Sequence, residues 1–167
     1  MKLAIALALL LCSSRALAQY GSDTVWLARC MVNEAGFWAV NDHLALATVL
    51  KKHASRLRVS MAEIVQMYCG GLRPNKKHSR RHRWILEIDA RGAEPKHWIA
   101  SDGKWKWYRD QWYTVLILAN LALHPEAHDP CGGRAAHWGG DMDMPSKSLV
   151  EIDCGSTLNH FYAMRKR

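Results

Sequence analysis

Apolar and polar positions alternate along the chain with two textures, and the change falls at Pro125. Before it the spacing is helical, three and four residues between apolar positions, and the punctuation is clear. Ser22 or Asp23 can cap a helix that runs to about Ala35, with Gly36 at the C′ position. Asn41 can cap a second helix through the apolar stretch Leu44 to Leu50. Ser60-Met61-Ala62-Glu63 has the form of a capping box and opens a third, which stops at Gly70-Gly71. Residues 73–83, RPNKKHSRRHR, are too polar and too basic for a core and are expected to form an exposed loop. Trp105, Tyr108, Trp112 and Val115 recur at helical spacing and lead into Thr114–Leu123. That stretch is apolar nearly all round, which predicts a buried central helix ended by His124-Pro125.

After Pro125 the glycine turns Gly132-Gly133, Gly139-Gly140 and Gly155 separate short segments such as Ser148–Ile152 and Leu158–Tyr162. These read as loops and a small antiparallel sheet. The expected fold class is therefore α+β, mostly helical, with a small C-terminal antiparallel β and loop lobe. No internal repeat, low-complexity tract or linker divides it. Among the tryptophans, Trp26, Trp84, Trp98 and Trp112 are expected in the core, and Trp105 and Trp107 partly exposed.

The first residues form a different pattern. Lys2, an apolar run from Leu3 to Cys12 and the small-residue site Ala16-Leu17-Ala18 read as a signal peptide over residues 1–18. The run is too short for a transmembrane segment, which needs about 20 apolar residues. Removing it with Lys2 and Arg15 leaves residues 19–167 as one domain, still basic, since the chain carries 23 Lys and Arg against 15 Asp and Glu. It also leaves Cys30, Cys69, Cys131 and Cys154, an even number suited to an oxidising compartment, periplasmic or secreted. Three pairings are open. The expected one is Cys131–Cys154 and, by elimination, Cys30–Cys69. No CxxC pair favours zinc over disulfides.

The strongest local chemical signal is Asn33-Glu34-Ala35-Gly36. Trp26, Cys30 and Glu34 stand i, i+4, i+8 on one helix ridge, so the carboxyl lies on or beside an apolar face. It also falls in the last turn, where the helix dipole gives an anion no support. Partial burial and the dipole both push a carboxyl pKa upward, and a protonated Glu is what a general acid at a glycosidic oxygen requires.

Three segments carry a family resemblance. LARCMVNEAGF resembles the Glu-bearing helix of the spore-cortex-lytic (SleB-type) cell-wall hydrolases. Asp129-Pro130-Cys131-Gly132-Gly133 followed by Ala136-His137-Trp138 is similar to that family's DPTGGA segment and the aromatic after it. Gly155 to Tyr162 resembles its closing G-x-H-x-FY strand. The resemblance covers about residues 25–163, although the stretch from Lys51 to Leu123 matches only in helical character. It implies a lysozyme-like catalytic domain, a single catalytic acid at Glu34, and peptidoglycan glycan strands as the partner and substrate. The chain departs from the pattern at three places: Asn33 stands for a Gly, Cys131 for a Thr, and His137-Trp138-Gly139-Gly140 for an aromatic-Asn/Pro turn.

A hydrolase of this kind needs a second carboxylate, for which Asp42, Asp129, Asp141 and Asp143 are the candidates. A lytic transglycosylase needs only Glu34. The lack of a recognisable partner motif favours the transglycosylase over a lysozyme (muramidase). Trp138 and Tyr162 offer faces for stacking on sugars, as does Phe161, while His137, Asn159 and His160 offer donors. The hydroxyl of Tyr162 is expected to line the cleft opposite Glu34. His124/His128 and His78/His82 have metal-like spacing. However, Pro125 interrupts the first pair and basic neighbours surround the second, so neither a metal nor another cofactor is expected. Six Lys and Arg between Arg73 and Arg83 suit an anionic wall polymer. No nucleic-acid fold signature accompanies them, so nucleic acid is not expected as a partner. A monomer is the default. The alternatives are a non-catalytic basic wall- or polyanion-binding module and a zinc-dependent amidase or peptidase.

Overall fold

Ser60 opens a helix in the way its sequence predicts. Its hydroxyl accepts from the backbone N–H of Glu63, and the Glu63 carboxylate accepts from the backbone N–H of Ser60. That helix is one of five α-helices among the described residues of the computed structural model, which are 20–74, 80–98, 103–139, 146–155 and 158–165. The predicted signal peptide, His78, Asp141 and Asp143 lie outside them.

In chain order the elements are α1 (Ser22–Ala35), α2 (Val40–Leu57), α3 (Met61–Tyr68), a 3-10 turn (Gly70–Leu72), α4 (Arg80–Glu87), α5 (Trp105–Leu123), β1 (His137–Gly139), β2 (Leu149–Ile152) and β3 (His160–Met164). The strands form one antiparallel sheet in the order β1-β3-β2, with Trp138 opposite Phe161 and Ile152 on the other side of Phe161. The chain is a mostly helical α+β protein.

Helix α1 packs on α5 and α3, and α2 packs on α5. Leu27, Met31, Leu46, Leu50, Ile64, Trp112 and Leu116 fill the space between them with less than 2% of their surface exposed. Each fully buried aliphatic side chain of this size stabilises the fold by about 1.5–3 kcal/mol. Four polar hydrogens from aromatic side chains pin the segments beside α5: Trp112 Nε1 donates to Asp89 O, Trp105 Nε1 to Gly92 O, Trp98 Nε1 to Gly103 O, and the Tyr113 hydroxyl to Arg91 O. Both expected disulfides are present, Cys30–Cys69 and Cys131–Cys154.

The structure corrects several expectations. Residues 80–87 are helical rather than part of an exposed loop, because Trp84 and Ile85 turn into the core and anchor a helix whose Arg83 stays outside. Helix α5 is not buried all round: Ile117 and Leu121, four residues apart, face away from the body at 49% and 53% exposure. Trp105 is buried, its indole N–H satisfied by Gly92 O. Neither Ser22, Asp23 nor Asn41 serves as an N-cap. Helix α1 starts after Gly21, and Asp23 instead accepts from the backbone N–H of Ala62, joining α1 to α3. Helix α2 starts two residues earlier than expected, after Ala39 rather than Asn41, which places Asp42 in its first turn. His137–Gly139 forms a strand that the glycine-rich texture concealed.

Candidate active site

Glu34 occupies the last turn of α1, and the chain leaves the helix immediately after Ala35. Gly36 takes a left-handed φ of 72°, which a side chain would resist, and its N–H closes the helix on Val32 O. The exit is fixed from α2. His43, with none of its surface exposed, donates from Nε2 to Gly36 O at 2.9 Å. Burial lowers the pKa of His43 and keeps the ring neutral, against weaker opposing effects from the Gly36 carbonyl and the Asp42 charge.

The Cys30–Cys69 disulfide brings the end of α3 against the last two turns of α1. A Glu34 carboxylate oxygen lies within 4.8 Å of both sulfurs. Past the disulfide, the 3-10 turn approaches so closely that a side chain at position 71 must displace a neighbour. A Cβ there would stand 2.5 Å from a His82 ring carbon and 2.6 Å from Asn33 Oδ1. Asn33 is thereby held between α1 and the turn, and its Nδ2 donates to Glu34 Oε1 at 2.8 Å. Trp138, on β1, donates from its indole to the other carboxylate oxygen at 3.4 Å. The two donors fix the orientation of the carboxyl.

The half-buried carboxyl opens into a cleft of about 610 Å³ between the α3 end and β1. Met67, Tyr68 and Arg73 line one side, His137 and Trp138 the other. Helix α2 sets the β1 wall. Lys52 donates to Gly133 O and Ala135 O, and the His53 ring bonds Ala136 O just ahead of His137. His53 also stacks on Tyr68 with centroids 4.6 Å apart, so one residue steadies both walls. Desolvation is the largest effect on His53 and lowers its pKa.

Behind the carboxyl stands a second acid with a different task. Asp42 is 1% exposed and accepts from Leu158 N, Asn159 N and Asn159 Nδ2. Asn159 also donates from Nδ2 to the backbone carbonyl of Glu34 at 3.4 Å. The Asp42 oxygens thus hold the β2–β3 connection against the α1 exit. Asp129 is likewise occupied, accepting from Cys131 N and Gly133 N in its own turn.

The sequence-predicted residues therefore divide. Glu34, His137 and Trp138 share the cleft. Asn159 does not line it but braces the backbone of Glu34. His160 lines a separate pocket, its Nδ1 bonded to Glu151 Oε1 at 2.6 Å. Tyr162, expected to face Glu34, is 5% exposed, pairs with His137 across the sheet, and is not among the residues lining the cleft. Met67, Tyr68 and His53 were not anticipated, whereas Asn33 and Arg73 entered only as part of the Glu34 motif and of the basic stretch. The Cys30–Cys69 pairing was the available signal, because it joins residues 67–73 to a site one helical turn before Glu34.

Among the described residues, the grouping of metal-capable side chains is Glu34 with Cys30 and Cys69, and both thiols are consumed by the disulfide. His124 and His128 are exposed beyond the end of α5. No described helix is long and apolar enough to cross a membrane. No protein-family model matches the chain, and neither do the curated proteins or solved structures with which it was compared.

Proposed function

We propose that the protein is an exported peptidoglycan-cleaving enzyme that uses Glu34 as its single acid and base on the β-1,4 bond between N-acetylmuramic acid and N-acetylglucosamine. The observation that carries this reading is a half-buried carboxyl at a helix end, held by Asn33 and Trp138 beside an open cleft of about 610 Å³. Two disulfides and the leader-like N-terminus support export to the periplasm or beyond.

The chemistry favoured is lytic transglycosylation. Glu34, protonated, gives its proton to the glycosidic oxygen as the bond to the anomeric carbon breaks. As carboxylate it then takes the proton of the muramyl 6-hydroxyl, whose oxygen closes on the anomeric carbon as a 1,6-anhydro ring. A hydrolytic route needs a second carboxylate roughly 5–10 Å away to direct water. Of the acids described, Asp42 and Asp129 are bound to backbone N–H groups, and neither lines the cleft. Arg73, exposed at the cleft edge, suits the stem-peptide carboxylates of the wall.

Glu34→Gln removes the proton and keeps the side-chain volume. Clearing of purified sacculi, followed by turbidity, is expected to slow by at least about 100-fold. Clearing at the wild-type rate contradicts the reading. Sacculus pelleting without release of fragments would identify a binding module, and loss of release on chelation would identify a zinc enzyme.

A further inference from the structure

Beside the α1 exit lies a second groove, of about 440 Å³, which the chemistry at Glu34 does not use. It begins at Ala35, the residue after Glu34, and is walled by Trp38, Val40 and Leu158. These three apolar side chains are 65%, 45% and 73% exposed. Single exposed apolar residues are common, but three around one concavity form a patch that favours a ligand. We infer that this groove binds an uncharged pyranose ring of the same glycan strand, with Trp38 as its stacking platform, so that the strand crosses Glu34 with a subsite on either side.

Trp38 is built for that task. Its ring packs edge-on against Phe37, with centroids 5.9 Å apart, and tilts against Tyr108 at 6.0 Å. Phe37 is itself buried between Trp84 and Tyr108. The indole is thus held at one edge while most of its surface faces water, and little side-chain freedom remains to be lost on binding. The C–H face of a sugar ring is an apolar plane that matches an indole, and its hydroxyls stay solvated at the rim.

Charge separates the two sides. The first cleft carries Glu34, Arg73 and His137, whereas among the described residues Asp42 is the one ionisable side chain lining the groove. The oxygens of Asp42 already accept from Leu158 N, Asn159 N and Asn159 Nδ2. A charged peptide would find no counter-charge there, while a neutral sugar needs none. The same hydrogen bonds hold Leu158 in place as the opposite wall.

This inference rests on the glycan reading of Glu34, and its test is chosen to fail separately. Calorimetric titration of the full chain carrying Glu34→Gln with an N-acetylglucosamine hexamer measures binding without turnover. Adding Trp38→Ala is expected to weaken binding by about tenfold, as for an aromatic anchor. Trp38→Phe is expected to recover most of it. Trp107→Ala, which removes another exposed indole, is expected to leave it unchanged. Equal affinity with and without Trp38, or no hexamer binding in either, overturns the subsite. Neither result bears on sacculus clearing by the unmodified chain, which judges Glu34 alone. A thermal melt of the Trp38→Ala chain that matches its parent excludes a folding defect as the cause of weaker binding.

Discussion

The end of α1 and the start of α2 each carry an acid, Glu34 and Asp42, and the two are used in opposite ways. Asp42 lies in the first turn of its helix, where unpaired N–H groups and the dipole attract anions, and it is sealed from solvent by the connection it holds. Glu34 lies in a last turn, where the dipole repels an anion. Its donors include the side chains of Asn33 and Trp138, and one side of it faces open space. A carboxylate surrounded by backbone donors acts as a structural joint. A carboxyl with an open side at an unfavourable helix end can exchange a proton. The contrast separates scaffold from chemistry more clearly than the identity of either residue.

The comparison can be broken by asking which perturbations cost stability and which cost activity. The largest loss of stability is expected from the paired change Cys30→Ser and Cys69→Ser. Opening a bridge across a sequence separation of 39 residues costs about 4 kcal/mol on the loop-entropy account. Because the bridge seats residues 67–73, sacculus clearing should fall as well, and denaturant melts alongside turbidity would show both. Asp42→Ala should cost about 2 kcal/mol, since it removes the acceptor of the part-buried Leu158 N and Asn159 N. Glu34→Gln should stay within about 0.5 kcal/mol of wild type in the same melts while abolishing most clearing. Equal stability losses at the two acids would erase the distinction.

Gly71→Ala sharpens the picture further. The added methyl must displace His82 or Asn33, at about 1–3 kcal/mol for overpacking. Loss of clearing should exceed what the melting shift explains, because Asn33 aims Glu34.

The smallest effect is a pH dependence of the scaffold. The pKa values of His43 and His53 are lowered in the folded chain from their ordinary value of 6.5. Below that value the unfolded chain takes up protons that the folded chain refuses, so stability falls as pH falls through about 6.5. Melting at pH 5.5 should therefore lie below melting at pH 7.5. Replacing His43 with Gln should shrink that difference even if it lowers both values.

Much of this was legible in the sequence where local chemistry decides the outcome. The Ser60–Glu63 box, the Gly36 stop and the position of Glu34 in the last turn all follow from short-range rules, and the structure shows each. What was illegible depends on distant partners. Tyr162 and His160 belong to one strand, but which neighbours each meets is set by pairing with β1 and β2. Asp42 looked like one of four equivalent acids until Leu158 and Asn159, more than a hundred residues away, were seen to occupy it. Residues 80–83 are basic enough to suggest a loop, and only the burial of Trp84 and Ile85 reveals the helix.

The most direct test of the account is mass spectrometry of the muropeptides released from sacculi by the unmodified chain and by the Glu34→Gln chain. The account predicts glycan fragments ending in anhydro-muramyl groups, one water lighter than reducing ends, from the first and almost none from the second. Equal release by both chains, or products distinguished only by new amino termini, would contradict it.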